Sequence, residues 1–149
     1  MLCEPRGIGE TKWTRKNPPN YVERSHALLG RTVDAGRVWD ILAAAGYLAA
    51  GEGQPAVFVA GKGAAGVLAA YAAALDERIA GATLVSPPAS HMAPNAPQLL
   101  NVLRVCDVPA ALALLAPRPL SILGSPADDF ASTSAAYAAA GARQKLKIH

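Results

Sequence analysis

The sequence predicts a three-layer αβα fold built on a mainly parallel sheet of about five strands. Short apolar runs bounded by glycine and proline recur along the chain, and alanine-rich helical stretches separate them. In addition, 52% of the residues are apolar, which is ample for one buried core at this length. Alternating strand and helix imply right-handed crossovers and hence parallel strands. A single domain covering residues 1–149 is expected.

At the start of the chain, Leu2-Cys3-Glu4 reads as a short strand and Pro5 to Thr11 as a glycine-punctuated loop. Trp13 to Tyr21 is polar and contains Pro18-Pro19. Thr32 or Asp34 then caps a helix with Val38, Ile41, Leu42 and Leu48 on one face, ending near Gly51. Ala56 to Ala60, between Pro55 and Gly61, is a strand, and Ala64 to Leu75 is a buried helix. Thr83 to Val85 is the next strand, followed by a proline-rich loop over Ser86 to Pro97 and broken helix from Gln98 to Leu115. Pro119 to Leu123 is a strand, Phe130 to Ala140 a helix closed by Gly141, and Lys145 to His149 a final strand.

Open parallel sheets bind ligands beyond the C-terminal ends of their strands. Arg6, Lys62, Gly63, Ser86, Asp128 and His149 are expected there. The formal charge of +3 is scattered and not interleaved with aromatics, which argues against a nucleic-acid partner. Cys3 and Cys106 lack metal-ligand spacing and read as two reduced, buried thiols, pointing to a cytoplasmic protein. The N-terminus has no apolar stretch after a basic start, and no window is long and apolar enough for a membrane span. His26, His91 and His149 stand apart from any HxH or HExxH pattern, so neither a metal nor another cofactor is expected. His26 and His91 read as loop histidines, and Trp13 and Trp39 as packing anchors, with Trp13 also able to stack on a substrate.

Gly61-Lys62-Gly63-Ala64-Ala65-Gly66 follows a strand and opens a helix, the literal GxGxxG context for a dinucleotide. An acidic residue for ribose hydroxyls belongs at the end of the next strand, where Ser86-Pro87-Pro88 stands instead. The other reading is a nucleophile elbow, a sharp strand-to-helix bend that needs small residues so that backbone can approach backbone.

The stretch from Val57 through Asp76-Glu77-Arg78-Ile79 to Leu84-Val85-Ser86-Pro87-Pro88, then Ala116-Pro117-Arg118-Pro119-Leu120, resembles the α/β-hydrolase superfamily. The likeness is to its acetyl-xylan-esterase-like and dienelactone-hydrolase-like branches. Pro5-Arg6-Gly7-Ile8-Gly9-Glu10-Thr11 looks like their DxRGxGxS/T loop. The resemblance implies a truncated α/β-hydrolase-like domain, a C-terminal half lacking the first strands. Placed on the family's GxSxG, the first glycine is Gly61, the nucleophile position is Gly63 and the last glycine is Ala65. The family acid falls at Asp128 or Asp129, and the family histidine at His149.

What the resemblance implies is a hydrolase of acetyl or other short-acyl esters with glycine where serine should stand. Acyl transfer needs an oxygen nucleophile, so Ser86 and Ser125, at strand ends, are the displaced candidates. Lys62 and Arg6 are the substrate-binding candidates, against plainer roles as a solvated turn lysine and a loop-supporting guanidinium. Asp128 and Asp129 equally suit capping of the helix from Phe130. The rival reading is a non-catalytic binding or interaction module, a homodimer through an open sheet edge.

Overall fold

The computed structural model describes residues 1–51, 53 and 56–149. Pro55, expected to bound the first strand, lies outside the described residues. Two helices open the chain, α1 (Pro19–Leu28) and α2 (Val33–Ala49). Strand β1 (Val57–Lys62), helix α3 (Ala64–Leu75) and strand β2 (Ile79–Val85) follow. A long connection containing α4 (Val108–Ala113) leads to β3 (Leu120–Leu123), α5 (Ala131–Ala139) and β4 (Leu146–Ile148).

The strands are all parallel and lie side by side in chain order, β1-β2-β3-β4. Each crossover therefore steps in the same direction, and a right-handed crossover repeated in one direction puts every helix on the same face. The packing agrees, since α2 lies against α3, α3 against α4, and α4 against α5. Two of the expectations are corrected by this. Among the described residues the sheet has four strands, not about five, because Leu2-Cys3-Glu4 pairs with no strand. The domain has two layers, not three, because a third requires the strand order to reverse somewhere.

Alternation along the strands follows from the single helix layer. The inward rows are Val59, Ala82, Leu120 and Leu146, then Gly61, Leu84, Ile122 and Ile148. Leu84, Leu120 and Ile122 are fully buried in a core shared with Val67, Leu112, Phe130 and Tyr137. The outward rows hold Ala60, Thr83, Ser121 and Lys147, with Phe58 62% exposed at the edge.

Thr32, one of the two expected caps, starts α2 by accepting a hydrogen bond from the Ala35 amide. β2 runs four residues earlier than Thr83, since Ile79 and Gly81 pair with β1 and Ala82 with both neighbours, which holds the segment extended despite weak strand propensity. Helix α1 was not foreseen; it buries none of its residues and starts from Pro18-Pro19. Trp39 is 72% exposed rather than a packing anchor, whereas Trp13 lies against Gly7. Cys3 is exposed, not buried, because its segment has no sheet to join. His26 sits in α1, its Nδ1 bonded to the Val22 carbonyl, and is not a loop residue.

Buried polar groups are bonded. Thr133 donates to the Pro109 carbonyl and the Tyr137 hydroxyl to the Arg118 carbonyl, both at 2.6 Å. Burial pushes the Tyr137 phenol up to about 12, against the pull of Arg118, so it stays a donor. Tyr137→Phe is expected to cost about 1–2 kcal/mol in urea denaturation, because a buried carbonyl loses its partner.

Candidate functional site at the strand ends

The chemistry-bearing residues converge at the C-terminal edge of the sheet through backbone bonding. The Gly63 amide donates to the Val85 carbonyl at 2.8 Å, and the Ser86 amide to the Leu123 carbonyl at 2.7 Å. The Gly124 amide donates to the His149 carbonyl at 2.6 Å, and the His149 amide to the Ile122 carbonyl at 2.9 Å. Gly63, Ser86, Gly124 and His149 are thus laced into one row.

Gly63 makes the turn from β1 into α3 at φ +57° and ψ −131°, a conformation that side chains disfavour. The bend brings β1 so close to α3 that a Cβ on Gly61 would stand 2.5 Å from the Ala65 carbonyl carbon. A Cβ on Gly66 would stand 2.7 Å from the Gly61 oxygen. A Cβ on Gly63 itself would meet nothing within 4 Å. The turn has two glycines required by close backbone approach and a third, between them, that aims into open space.

Ser86 is exposed with φ +46°, and its Oγ would lie 2.8 Å from a Cβ on Gly124. Asp128 and Asp129 are exposed on the short 3₁₀ turn Ala127–Phe130. Neither α5 nor that turn has a side-chain cap bond, so the capping expected of these aspartates is not made. Among the described residues no hydrogen bond joins Asp128 or Ser86 to the His149 imidazole. Lys62 is exposed at the end of β1, and Ser125 follows Gly124.

Arg6 ends no strand, since Leu2-Cys3-Glu4 pairs with none, and its charge is engaged by α2. Its guanidinium forks onto Asp40 in α2 at 2.8 and 2.7 Å, its amide donates to the same carboxylate at 2.9 Å, and its carbonyl accepts from Arg37 Nε. These bonds to Arg6 hold the Asp40 carboxyl below its ordinary value against the opposing effect of burial. A carboxyl depressed on folding stabilises above its unfolded value of about 4 and loses that contribution as pH falls through its folded value. Asp40→Ala at neutral pH, or wild type taken to low pH, is therefore expected to lower the amide protection factors (exchange relative to the intrinsic rate at the same pH) in residues 4–12 and leave those of β2 unchanged.

A cluster the sequence reading missed braces the loop after β2. The Tyr71 hydroxyl bonds His91 Nε2 at 2.9 Å, and His91 Nδ1 bonds the Pro97 carbonyl at 3.0 Å. Asp107 accepts from the His91 and Val108 amides at 2.7 and 2.8 Å. Burial opposes the Asp107 charge, but the Ser90 hydroxyl and these two amides outweigh it and lower its pKa. Burial and the nearby Cys106 raise that of Tyr71. Both His91 nitrogens are used within the cluster, which makes it a fastening. Asp107 four residues after Leu103, just before Val108-Pro109, is a cap-then-proline signal readable in the sequence.

No family model and no curated protein matches the chain. Among solved structures, it is similar to "a putative acetyl xylan esterase" from Bacteroides fragilis, with a TM-score of 0.79 at 18% identity. The two share an α/β fold. The match covers 97% of this chain and 45% of the Bacteroides protein, so the chain spans less than half of that protein's length. No helix is long and apolar enough to cross a membrane among the described residues.

Proposed function

We propose that this chain is an ester-hydrolase-type α/β domain, of the kind that acts on acetyl or other short-acyl esters, in which Gly63 has replaced the nucleophile. In this form it holds an ester or a partner without turning it over. The observation that carries the reading is the backbone of Gly63. It keeps a sharp strand-to-helix turn at positive φ, pointed into open space between two obligatory small positions, with no hydroxyl to present. An oxygen nucleophile contributes several powers of ten to acyl transfer, and Gly63 has none. The second reading, a hydrolase using a displaced serine, rests on Ser86 in the same backbone row as His149. A dinucleotide site is the weakest, because the strand order never reverses and so supplies no switch-point crevice.

Hydrolysis of p-nitrophenyl acetate tests the reading. Wild type is expected to run at the buffer rate, and Gly63→Ser to release a burst of p-nitrophenol as its new hydroxyl is acylated. That variant has room for its side chain, so its cost is the backbone strain alone, about 1–3 kcal/mol. Wild-type turnover abolished by Ser86→Ala or His149→Ala would replace the proposal with the displaced-serine hydrolase.

A further inference from the structure

The positive charge of the chain is concentrated around α1. Between residues 12 and 31 stand five basic residues, Lys12, Arg15, Lys16, Arg24 and Arg31, against one acidic residue, Glu23. That is a formal +4, where the chain as a whole carries +3, so everything outside this stretch has a formal charge of −1. All five basic residues are exposed, and none forms an ion pair among the described residues.

α1 is held from one side only. Val22 and His26, four residues apart, are half-buried and line a groove with Trp13 and Asp40. Tyr21, Arg24 and Leu28, three and four residues apart, share the outward side. Tyr21 is 65% exposed and Leu28 89%, and Leu29, just past the helix, is 76% exposed. The helix buries none of its residues, so this side is a ridge standing clear of the domain and not the wall of a cleft.

Two demands meet on that ridge. Five unpaired cations call for an anionic partner, whereas a tyrosine and two leucines turned outward call for an apolar one. A soluble polyanion satisfies only the first. A folded polypeptide satisfies both only by bringing carboxylates matched to the five positions and a hollow matched to the ridge. The surface of an anionic bilayer offers both without such matching, because its charged headgroups are laterally mobile and its acyl region begins just beneath them.

We propose that α1 and the basic residues flanking it attach this domain to an anionic lipid surface. The helix lies flat on the bilayer, since ten residues are far too few to span it. The five basic side chains meet the headgroups, Tyr21 sits at the same level, and Leu28 and Leu29 enter the acyl boundary. Neither the charge nor the apolar contact suffices alone, which makes the attachment reversible and sensitive to salt and to lipid charge. The inference does not depend on the ester-hydrolase reading, and its test has no hydrolytic readout.

The probe is co-sedimentation with vesicles of equal parts phosphatidylserine and phosphatidylcholine, beside vesicles of phosphatidylcholine alone. The protein is expected to bind the first and not the second, and to be released as sodium chloride is raised. Arg15→Ser combined with Lys16→Ser is expected to weaken binding about 25-fold, which is about fivefold for each charge removed. Leu28→Asp is expected to weaken it at least about tenfold, because a carboxylate replaces an inserted side chain. These substitutions lie at exposed positions, and unchanged thermal unfolding shows that each variant is folded. Arg15 and Lys16 precede α1, so the first variant decides even if Leu28→Asp frays the helix. No binding to either vesicle, or equal binding to both, overturns the proposal. Anionic-vesicle binding that a folded Leu28→Asp leaves unchanged overturns it in favour of a plain polyanion site, which undiminished retention of that variant on heparin would identify.

Discussion

Gly61→Ala is expected to destabilise the domain by about 3 kcal/mol, seen as a lower urea midpoint with unchanged slope. The new Cβ would lie 2.5 Å from the Ala65 carbonyl carbon and 2.6 Å from both the Ala65 oxygen and the Gly66 nitrogen. All three are backbone atoms in the first turn of α3. A flexible side chain would swing aside, but this turn relaxes only by unwinding or by pulling away from β1. The same substitution at Gly63 meets nothing, so its cost is the smaller one of backbone strain. The difference between the two variants separates close approach from conformation within a single bend.

Phe130→Ala is the second large effect, with an expected loss of about 3–5 kcal/mol. Phe130 is fully buried, at the junction between the 3₁₀ turn Ala127–Phe130 and α5, in the same core as Leu112, Ile122 and Tyr137. Its neighbours are held by backbone pairing in β3 and by the Tyr137 bond to Arg118, so the site cannot collapse to fill the void. Denaturant unfolding gives the magnitude. Because Phe130 also leads into α5, a loss confined to that helix would show as early exchange of residues 131–139, whereas the expected result is loss across the whole core.

Much of this fold was legible because apolar strands and the alanine-rich α3 are local patterns. Val57–Lys62, Ala64–Leu75 and Leu120–Leu123 fall close to where periodicity and punctuation put them. The turn at Gly61–Gly66 was legible for the same reason, since the need for small residues is a property of the bend. Whether Leu2–Glu4 becomes a strand depends on a neighbour, and local sequence cannot supply one. The number of layers was illegible because it follows from the order of the strands in the sheet. The site failed in a related way. Asp128 and His149 lie after β3 and β4, but among the described residues no hydrogen bond joins their side chains, and the Arg6 guanidinium is bonded to Asp40 across 34 residues of chain.

The order of the strands also bears on how the chain folds. Among the described residues every strand pairs only with the strands immediately before and after it along the chain. No strand has to be threaded between two others already in place, as the central strand of a reversing sheet does. Each crossover unit can dock on the previous one as it forms, so each loop closure joins strands that are neighbours along the chain. The expected folding behaviour is stepwise addition along one axis, closer to that of a repeat array than to that of a doubly wound sheet.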